Sequence, residues 1–448
     1  MKTLLHITPH LGGGVGRVLG GSLEALLSDA GRSFDPEVIS LEHANEDARC
    51  LASRIGLRLR DRMAAHPEAI LDAITKADVV LIHFWNHPLL YALLVRHALP
   101  PARIIFWSHI SGFFPPYVFA PAALNYPDRF VLTTPISREV PEVVAYERAT
   151  GQPLPVIWST GGTEHVERVT PLPHSRFTIG YIGTVDYAKM HPRFVDLSSR
   201  VDIPDAEWVV CGGPNERVVA EEARARRCLE RFRFEGPVKD IKSYLARFDV
   251  FGYPLSPEHY GTCEQALIEA MAAGVPPVVL ANRTEQTIVE DGKSGLVATS
   301  EDDYVRAIER LARDPELRQR LSDGARVAAK HRFSLAKMVT AWDAMLLEVL
   351  DQSKRSRVWR GTANGPQVTG AQLFVESLGL HHSQPFRATT AVVTDEQRRA
   401  AESQLVERYG VSHAFRSRTR GTPHHYRTFF PEDSQLQRWS ALLTPSEA

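Results

Sequence analysis

Short apolar runs separated by amphipathic stretches recur along this chain. "TLLHIT" near the start leads through a Gly-rich turn into the helical pattern "GRVLGGSLEALLSDAG". "PEVISLE", "ADVVLIHF", "ARIIFWSH" and "RFVLTTP" follow as apolar strands, and "PVIWSTGG" reads as another. A proline-bearing stretch, "RVTPLPHSR", reads as a linker. The pattern then restarts with "FTIGYIG", "EWVVCGG", "RFRFEGPV", "DVFGYPL", "GVPPVVL" and "SGLVA". Short, continuously apolar strands alternating with helices are what a parallel sheet covered on both faces requires. The pattern predicts an α/β protein with two doubly wound parallel-sheet domains, over 1–167 and 175–335, facing a central cleft. The run "SLAKMVTAWDAMLLEVLDQS" is expected to close the second domain with a helix over 336–352. Residues 353–448 are rich in Arg, Ser, Thr and His, with apolar patches such as "AQLFVESLG"; they form a C-terminal extension, expected as a small appendage or partly disordered.

Composition narrows the function classes. With 448 residues the chain is long enough for two substantial cores. A formal net charge of -1 gives no global attraction for nucleic acid. No apolar run approaches the roughly 18 residues that span a bilayer, and the apolar part of "MKTLLHITPH" is too short for a signal peptide. A cytoplasmic protein is expected, with peripheral membrane contact compatible. Cys50, Cys211, Cys228 and Cys263 have no C-x-x-C spacing, so neither a disulfide framework nor a zinc site is indicated.

The stretch from Glu258 to Gly274 carries the strongest chemistry. A strand ("DVFGYPL") ends in a loop with Glu258, Gly261 and Thr262, and a helix bearing Glu264 and Glu269 follows. Strand, glycine-bearing loop and helix N-terminus suit an anion, because free N–H groups and the helix dipole favour negative charge there. Carboxylates around such a site would repel a bare phosphate and suit sugar hydroxyls, so the implied ligand is a nucleotide sugar. Thr262 followed three residues later by Gln265 is a capping-box pattern that predicts a helix starting at Cys263. Gln265 and Glu269 then share one helical face, with Glu264 pointing elsewhere. The bland alternative is that Glu264 only complements the helix dipole and Glu269 is an ordinary partnered side chain.

"PLSPEHYGTCEQALIEAMAAGVPPVVL" resembles the donor-site signature of the family 4, group 1 type glycosyltransferases, retaining enzymes of the GT-B fold. "YIGTVDYAK", "WVVCGG", "FEGPVKDIKSYLARFDVFGYP" and "EDGKSGLVA" resemble that family's flanking segments in the right order, so the resemblance covers most of 175–350. It implies two Rossmann-like domains and transfer of a sugar from a nucleotide diphosphate sugar to an acceptor hydroxyl with retention, in polysaccharide or glycolipid synthesis. The acceptor would be a carbohydrate or lipid-linked molecule; no cofactor or metal is expected. It implies Glu269 for the ribose, and Lys189 with the helix after Thr262 for the diphosphate. Two departures stand out. The family's glutamates lie eight positions apart, but position 261 here is Gly, and Glu258 lies eleven before Glu269, so the donor-sugar role falls to Glu258 or Glu264. Thr184 stands where the family loop carries Arg, and Arg193 is a candidate replacement.

In the first domain, "HLGGGVGRV" offers Gly14 and Gly16, where small residues let backbone approach a diphosphate. Alone, this loop with Glu42 at the end of the next strand would also fit a weak dinucleotide-binding reading. His109 ends an apolar strand, and the resemblance places such a His close to the reacting sugar. His83 and His87 are candidates for the acceptor side, while Phe84 and Trp85 read as core. "HHY" at 424–426 has no metal-ligand spacing, and Arg416, Arg418 and Arg420 read as a solvated charge run. A sugar-nucleotide epimerase or hydrolase, and a catalytically silent sugar-nucleotide-binding protein, are the alternatives.

Overall fold

The computed structural model describes residues 1–29, 31–167, 169–391 and 394–444. Arg168, which opens the expected linker, and 392–393 and 445–448 of the extension lie outside them. The chain forms two compact units: Met1–Ser159 with Met338–Ala448, and Thr160–Lys337.

The first unit is built on a parallel sheet of β1 (Lys2–Thr8), β2 (Phe34–Ser40), β3 (Arg58–Arg60), β4 (Val79–Phe84), β5 (Ile104–Ser108) and β6 (Arg129–Val131), in the order β3-β2-β1-β4-β5-β6. The second repeats it with β7 (Thr178–Ile182), β8 (Glu207–Cys211), β9 (Phe232–Gly236), β10 (Val250–Tyr253), β11 (Pro277–Leu280) and β12 (Leu296–Ala298), in the order β9-β8-β7-β10-β11-β12. Strands β4, β5, β7 and β10 are buried along their whole length, which is why each reads as an unbroken apolar run. In this doubly wound order the winding reverses between the first and fourth strands, and ligands bind outside the carboxyl ends at that point.

Three expectations need correction. "PVIWSTGG" forms no strand: it makes a single bridge, Leu132 to Val156, because Pro155 has no N–H to extend the ladder. The helix Leu335–Leu350, expected to close the second domain, belongs with the first unit from Met338 onward. There Trp342 meets Trp107 edge-on at 4.8 Å, and Glu348 pairs with Arg129 at 2.6 Å.

The extension, finally, is a packed part of the first unit. Arg355–Arg357 pairs antiparallel with Leu99–Ala102. Buried Arg357 forms an ion pair with Asp128 and donates to the carbonyls of Tyr126 and Ala102, both at 2.8 Å. Helices Gly370–Thr390, Asp395–Tyr409, Pro423–Phe429 and Ser434–Leu442 then enclose an aromatic core of Phe374, Phe386, Tyr426 and Trp439. No helix among the described residues is long and apolar enough to cross a membrane.

Candidate functional site

In the second unit, β7 and β10 are the neighbours at the reversal point, and the loops leaving them meet. Ser256 donates its N–H to the Lys189 carbonyl at 2.8 Å, and His191 donates to that of Pro254 at 3.0 Å. This lacing brings Lys189, from the loop after β7, to Glu264, from the loop after β10. Lys189 Nζ lies 2.9 Å from Glu264 Oε2, and the Tyr253 hydroxyl donates to the same oxygen at 2.7 Å. The Glu264 side chain is 1% exposed. Burial alone would raise its carboxyl, but Lys189, His259 and Tyr253 outweigh it and hold the group below the usual carboxylate range. Lys189 also lies over the Tyr260 ring, 5.6 Å from its centroid.

Backbone geometry aims Glu264 this way. The helix begins at Gln265, not Cys263, and Glu264 is its N-cap in the left-handed region, with φ 40° and ψ 67°. A non-glycine residue there carries strain on the order of 1–3 kcal/mol. The expected Thr262–Gln265 capping box does not form, because Gln265 faces another loop. Its Oε1 accepts from Gly161 N at 3.0 Å, and its Nε2 donates to the Gly162 carbonyl at 3.0 Å and to Glu269 Oε1 at 3.1 Å. Gln265 and Glu269 do share a face, and His165 Nε2 adds a contact to Glu269 at 3.3 Å.

Gly261 is required by crowding: a Cβ there would lie 1.6 Å from Glu264 Oε1 and 2.8 Å from His259 Nδ1. Gly261 N–H donates to His259 Nδ1 at 3.0 Å, which leaves the imidazole proton on Nε2, 3.1 Å from Glu285 Oε2. Burial lowers His259, but Glu285 and Glu264 together shift it upward. Donor atoms of His259, Glu264 and Glu285 lie within 4.8 Å of one another, a spacing usable by a cation; at Glu264 that cation is the Lys189 ammonium. Sequence reasoning missed Tyr253, His259 and Glu285, which read as strand end, loop and helix.

Other expectations separate here. Glu258 is exposed, unlike Glu264. Thr184 is half-buried, and its carbonyl accepts from the Tyr181 hydroxyl at 2.8 Å. Arg193 does not replace the missing loop Arg: it forms ion pairs with Asp196 at 2.5 Å and with Glu301. Thr262 is buried beside Gly261, whose carbonyl accepts from Thr284 Oγ1 at 3.1 Å.

In the first unit, Gly14 and Gly16 lie in the first turn of the helix Gly13–Ser28, with Gly14 exposed. Glu42 lies 3.2 Å from His43 Nδ1 and 3.5 Å from His87 Nε2, so it is already engaged and unlike a ribose-binding acid. His109 follows β5 and meets His83. His83 and His87 are fully buried, which removes them from an open acceptor surface. His87 caps the helix Pro88–Arg96, and Phe84 and Trp85 are core. His425 lies parallel to Trp85 at 6.0 Å, so "HHY" is packing. The arginine run is not uniformly solvated: Arg418 is exposed, but half-buried Arg416 donates to the Gly410 carbonyl at 3.1 Å, and half-buried Arg420 acts on His10 and His87.

Residues 163–328 match the family described as Glycosyl transferases group 1. The chain is 28% identical over 125 residues to a 2-deoxystreptamine N-acetyl-D-glucosaminyltransferase of Niallia circulans, covering 27% of this chain and 31% of that protein. It is 26% identical over 226 residues to a D-inositol 3-phosphate glycosyltransferase of Corynebacterium urealyticum, covering 45% and 51%. The chain thus spans about a third to a half of the length of these curated relatives. Among solved structures, Anabaena Alr3699/HepE in complex with UDP and glucose aligns with a TM-score of 0.63 at 14% identity, covering 78% of this chain and 100% of that one. The fold is GT-B, two Rossmann-like parallel-sheet domains.

Proposed function

We propose that this chain, whose residues 163–328 match the family described as Glycosyl transferases group 1, moves a glycosyl group from a nucleotide diphosphate sugar to an acceptor hydroxyl, with retention at the anomeric carbon, in polysaccharide or glycolipid synthesis. The observation that carries this reading is Glu264: buried, held in a strained backbone conformation and paired with Lys189 at the reversal point of the second sheet. Strain of this kind gathers at ligand-binding sites, where it pre-organises a side chain.

In this reading Glu264, rather than exposed Glu258, meets hydroxyls of the donor sugar. Glu269, steadied by Gln265, takes the ribose hydroxyls. As the nucleotide diphosphate departs, charge grows on its β-phosphate, and Lys189 with the backbone amides around Thr262 stabilises it. In the free protein Glu264 offsets the Lys189 charge, so the incoming diphosphate has to compete for the ammonium; without an Arg at position 184, backbone donors bear more of the load. We assign Gly14 and Gly16 to the diphosphate and His109 to the reacting sugar on the strength of the family resemblance. The acceptor hydroxyl attacks on the leaving-group face, so no protein nucleophile is needed. The chemistry of Lys189 as counter-charge supports donor binding that needs no metal.

UDP-glucose is the first donor to try, followed by a panel of nucleotide sugars. A bound donor at 100 times its Kd stabilises the native state by about 2.7 kcal/mol, so a rise in Tm that persists in a chelator is expected. Glu269→Ala should remove both this rise and sugar transfer while leaving the Tm of the free protein close to wild type. If no nucleotide sugar raises the Tm, or Glu269→Ala transfers sugar at the normal rate, the reading is wrong.

A further inference from the structure

Three histidines form a ladder across the first sheet. His6 lies on β1, His83 on the adjacent β4, and His109 just beyond the end of the next strand, β5. The register places His6 opposite Leu81 and His83 opposite Trp107. Each histidine is therefore two residues further toward the carboxyl edge than its neighbour and points to the same face. His6 Nδ1 lies 3.2 Å from His83 Nε2, and His83 Nδ1 lies 2.9 Å from His109 Nε2. The His83 and His109 rings are 8° from parallel with centroids 5.1 Å apart, and those of His6 and His83 are 26° apart at 5.4 Å. Both centroid separations match the N–N distance plus two ring radii, so the rings meet edge to edge with each hydrogen bond in line.

We propose that His6 and His83 are positioning residues that fix His109 as the Nδ1–H tautomer, making it a hydrogen-bond donor to the ligand and not a base. Each link needs one N–H and one lone pair, so the tautomers along the ladder run one way or the other together. The blind end decides the direction. His6 Nε2 is buried and has no hydrogen-bond partner among the described residues. An orphaned buried N–H is tolerated less well than an orphaned acceptor, so the proton of His6 sits on Nδ1 and is donated to His83 Nε2. His83 then donates from Nδ1 to His109 Nε2, and the remaining proton of His109 is on Nδ1. Free imidazole side chains favour the opposite tautomer, so the ladder imposes a form that His109 would not adopt by itself.

The rings are kept neutral by burial. Burial holds His6 at about 3, and burial likewise lowers His83 and His109, with His83 depressed further by its two neighbours. Trp107 closes one side of the ladder, tilted against His83 at 5.6 Å and His109 at 5.0 Å. The ladder itself is independent of the proposed reaction; only the use of the Nδ1–H toward a sugar rests on that reading.

Ring-nitrogen spectra of the full chain labelled with 15N-histidine test this without any substrate. Wild-type His109 should show a protonated Nδ1 and a pyridine-type Nε2 at pH 7.5. In His83→Leu, or in His6→Leu if the first variant does not fold, His109 should revert to the Nε2–H form. A wild-type His109 protonated on Nε2 overturns the proposal, as does a tautomer unchanged by loss of His83. Transfer kinetics read the role separately: His83→Leu should lower kcat at least 10-fold with KM for the donor changed less than 2-fold. Normal kcat in a variant whose His109 has switched tautomer overturns the positioning role while leaving the proposed reaction intact.

Discussion

Replacing Lys189 with Met should reverse the pH dependence of the second unit's stability. In the wild type, Glu264 is 1% exposed on its side chain and Lys189 15%, so the pair sits at the edge of the interior. Removing the ammonium leaves the carboxylate with the Tyr253 hydroxyl at 2.7 Å and His259 at 3.7 Å. Breaking a buried pair by removing one partner costs about 3–5 kcal/mol. Water near the edge and the retained Tyr253 bond reduce that, so about 2–4 kcal/mol is expected at pH 8. At acid pH the variant escapes by protonating Glu264. The signs follow from linkage. In the wild type the folded carboxyl is depressed, so its contribution is present above the unfolded value of about 4.3 and is lost as pH falls through the folded value. Without the cation, burial raises the folded carboxyl, and stability is lost as pH rises through that raised value. The penalty should therefore grow from pH 5 to pH 8. Urea unfolding monitored by 19F NMR of 5-fluorotryptophan isolates this unit, because Trp208 is the only tryptophan between residues 160 and 337. The double variant Lys189→Met/Glu264→Gln should recover more than half of the loss. A penalty below about 0.5 kcal/mol at pH 8, the size of an exposed pair, or one independent of pH, refutes the reasoning.

Two further perturbations test neighbouring contacts. Gly261→Ala places a methyl group 1.6 Å from Glu264 Oε1, so the carboxylate must leave Lys189; donor affinity by titration calorimetry should fall about tenfold, or 1.4 kcal/mol, and unchanged affinity would contradict the placement of Glu264. Arg357→Ala leaves the Asp128 carboxylate with only the more exposed Arg355, at 2.9 Å, as ion-pair partner and frees the Tyr126 and Ala102 carbonyls; it should destabilise the first unit by about 2–4 kcal/mol and expose the segment after residue 353 to limited proteolysis, whereas wild-type cleavage rates would show that the extension is held elsewhere.

The sheets were legible because burial on both faces writes itself into sequence. β4 and β10 read as unbroken apolar runs, and every strand of the second sheet stands in a segment that read as a strand. β3 was not seen, since "RLR" at the sheet edge is partly exposed and carries no apolar signal. The extension misled for a related reason. Its helices bury Phe374, Phe386, Tyr426 and Trp439 among many charged residues, and Asp395–Tyr409 buries only Ala401, Leu405 and Tyr409 over fifteen residues. Aromatic residues this far apart in sequence show no period, so their common core is visible only in three dimensions.

The split between Glu258 and Glu264 failed to resolve from sequence for a different reason. Spacing arguments assume that a helix starts with ordinary geometry, and on that assumption Thr262 caps and Glu264 points away. One dihedral changes this. With φ at 40°, Glu264 turns its carboxylate back toward the strand it came from, under Tyr253 and against Lys189. No local preference favours that conformation for glutamate; it is held because three polar groups satisfy the carboxylate there and Gly261 leaves the space for it. Local rules that fail in a well-formed fold tend to mark functional or strained positions. Here the failed capping box and the unassigned glutamate are the same failure. Both trace to a residue whose orientation is set by long-range charge rather than by its neighbours in sequence.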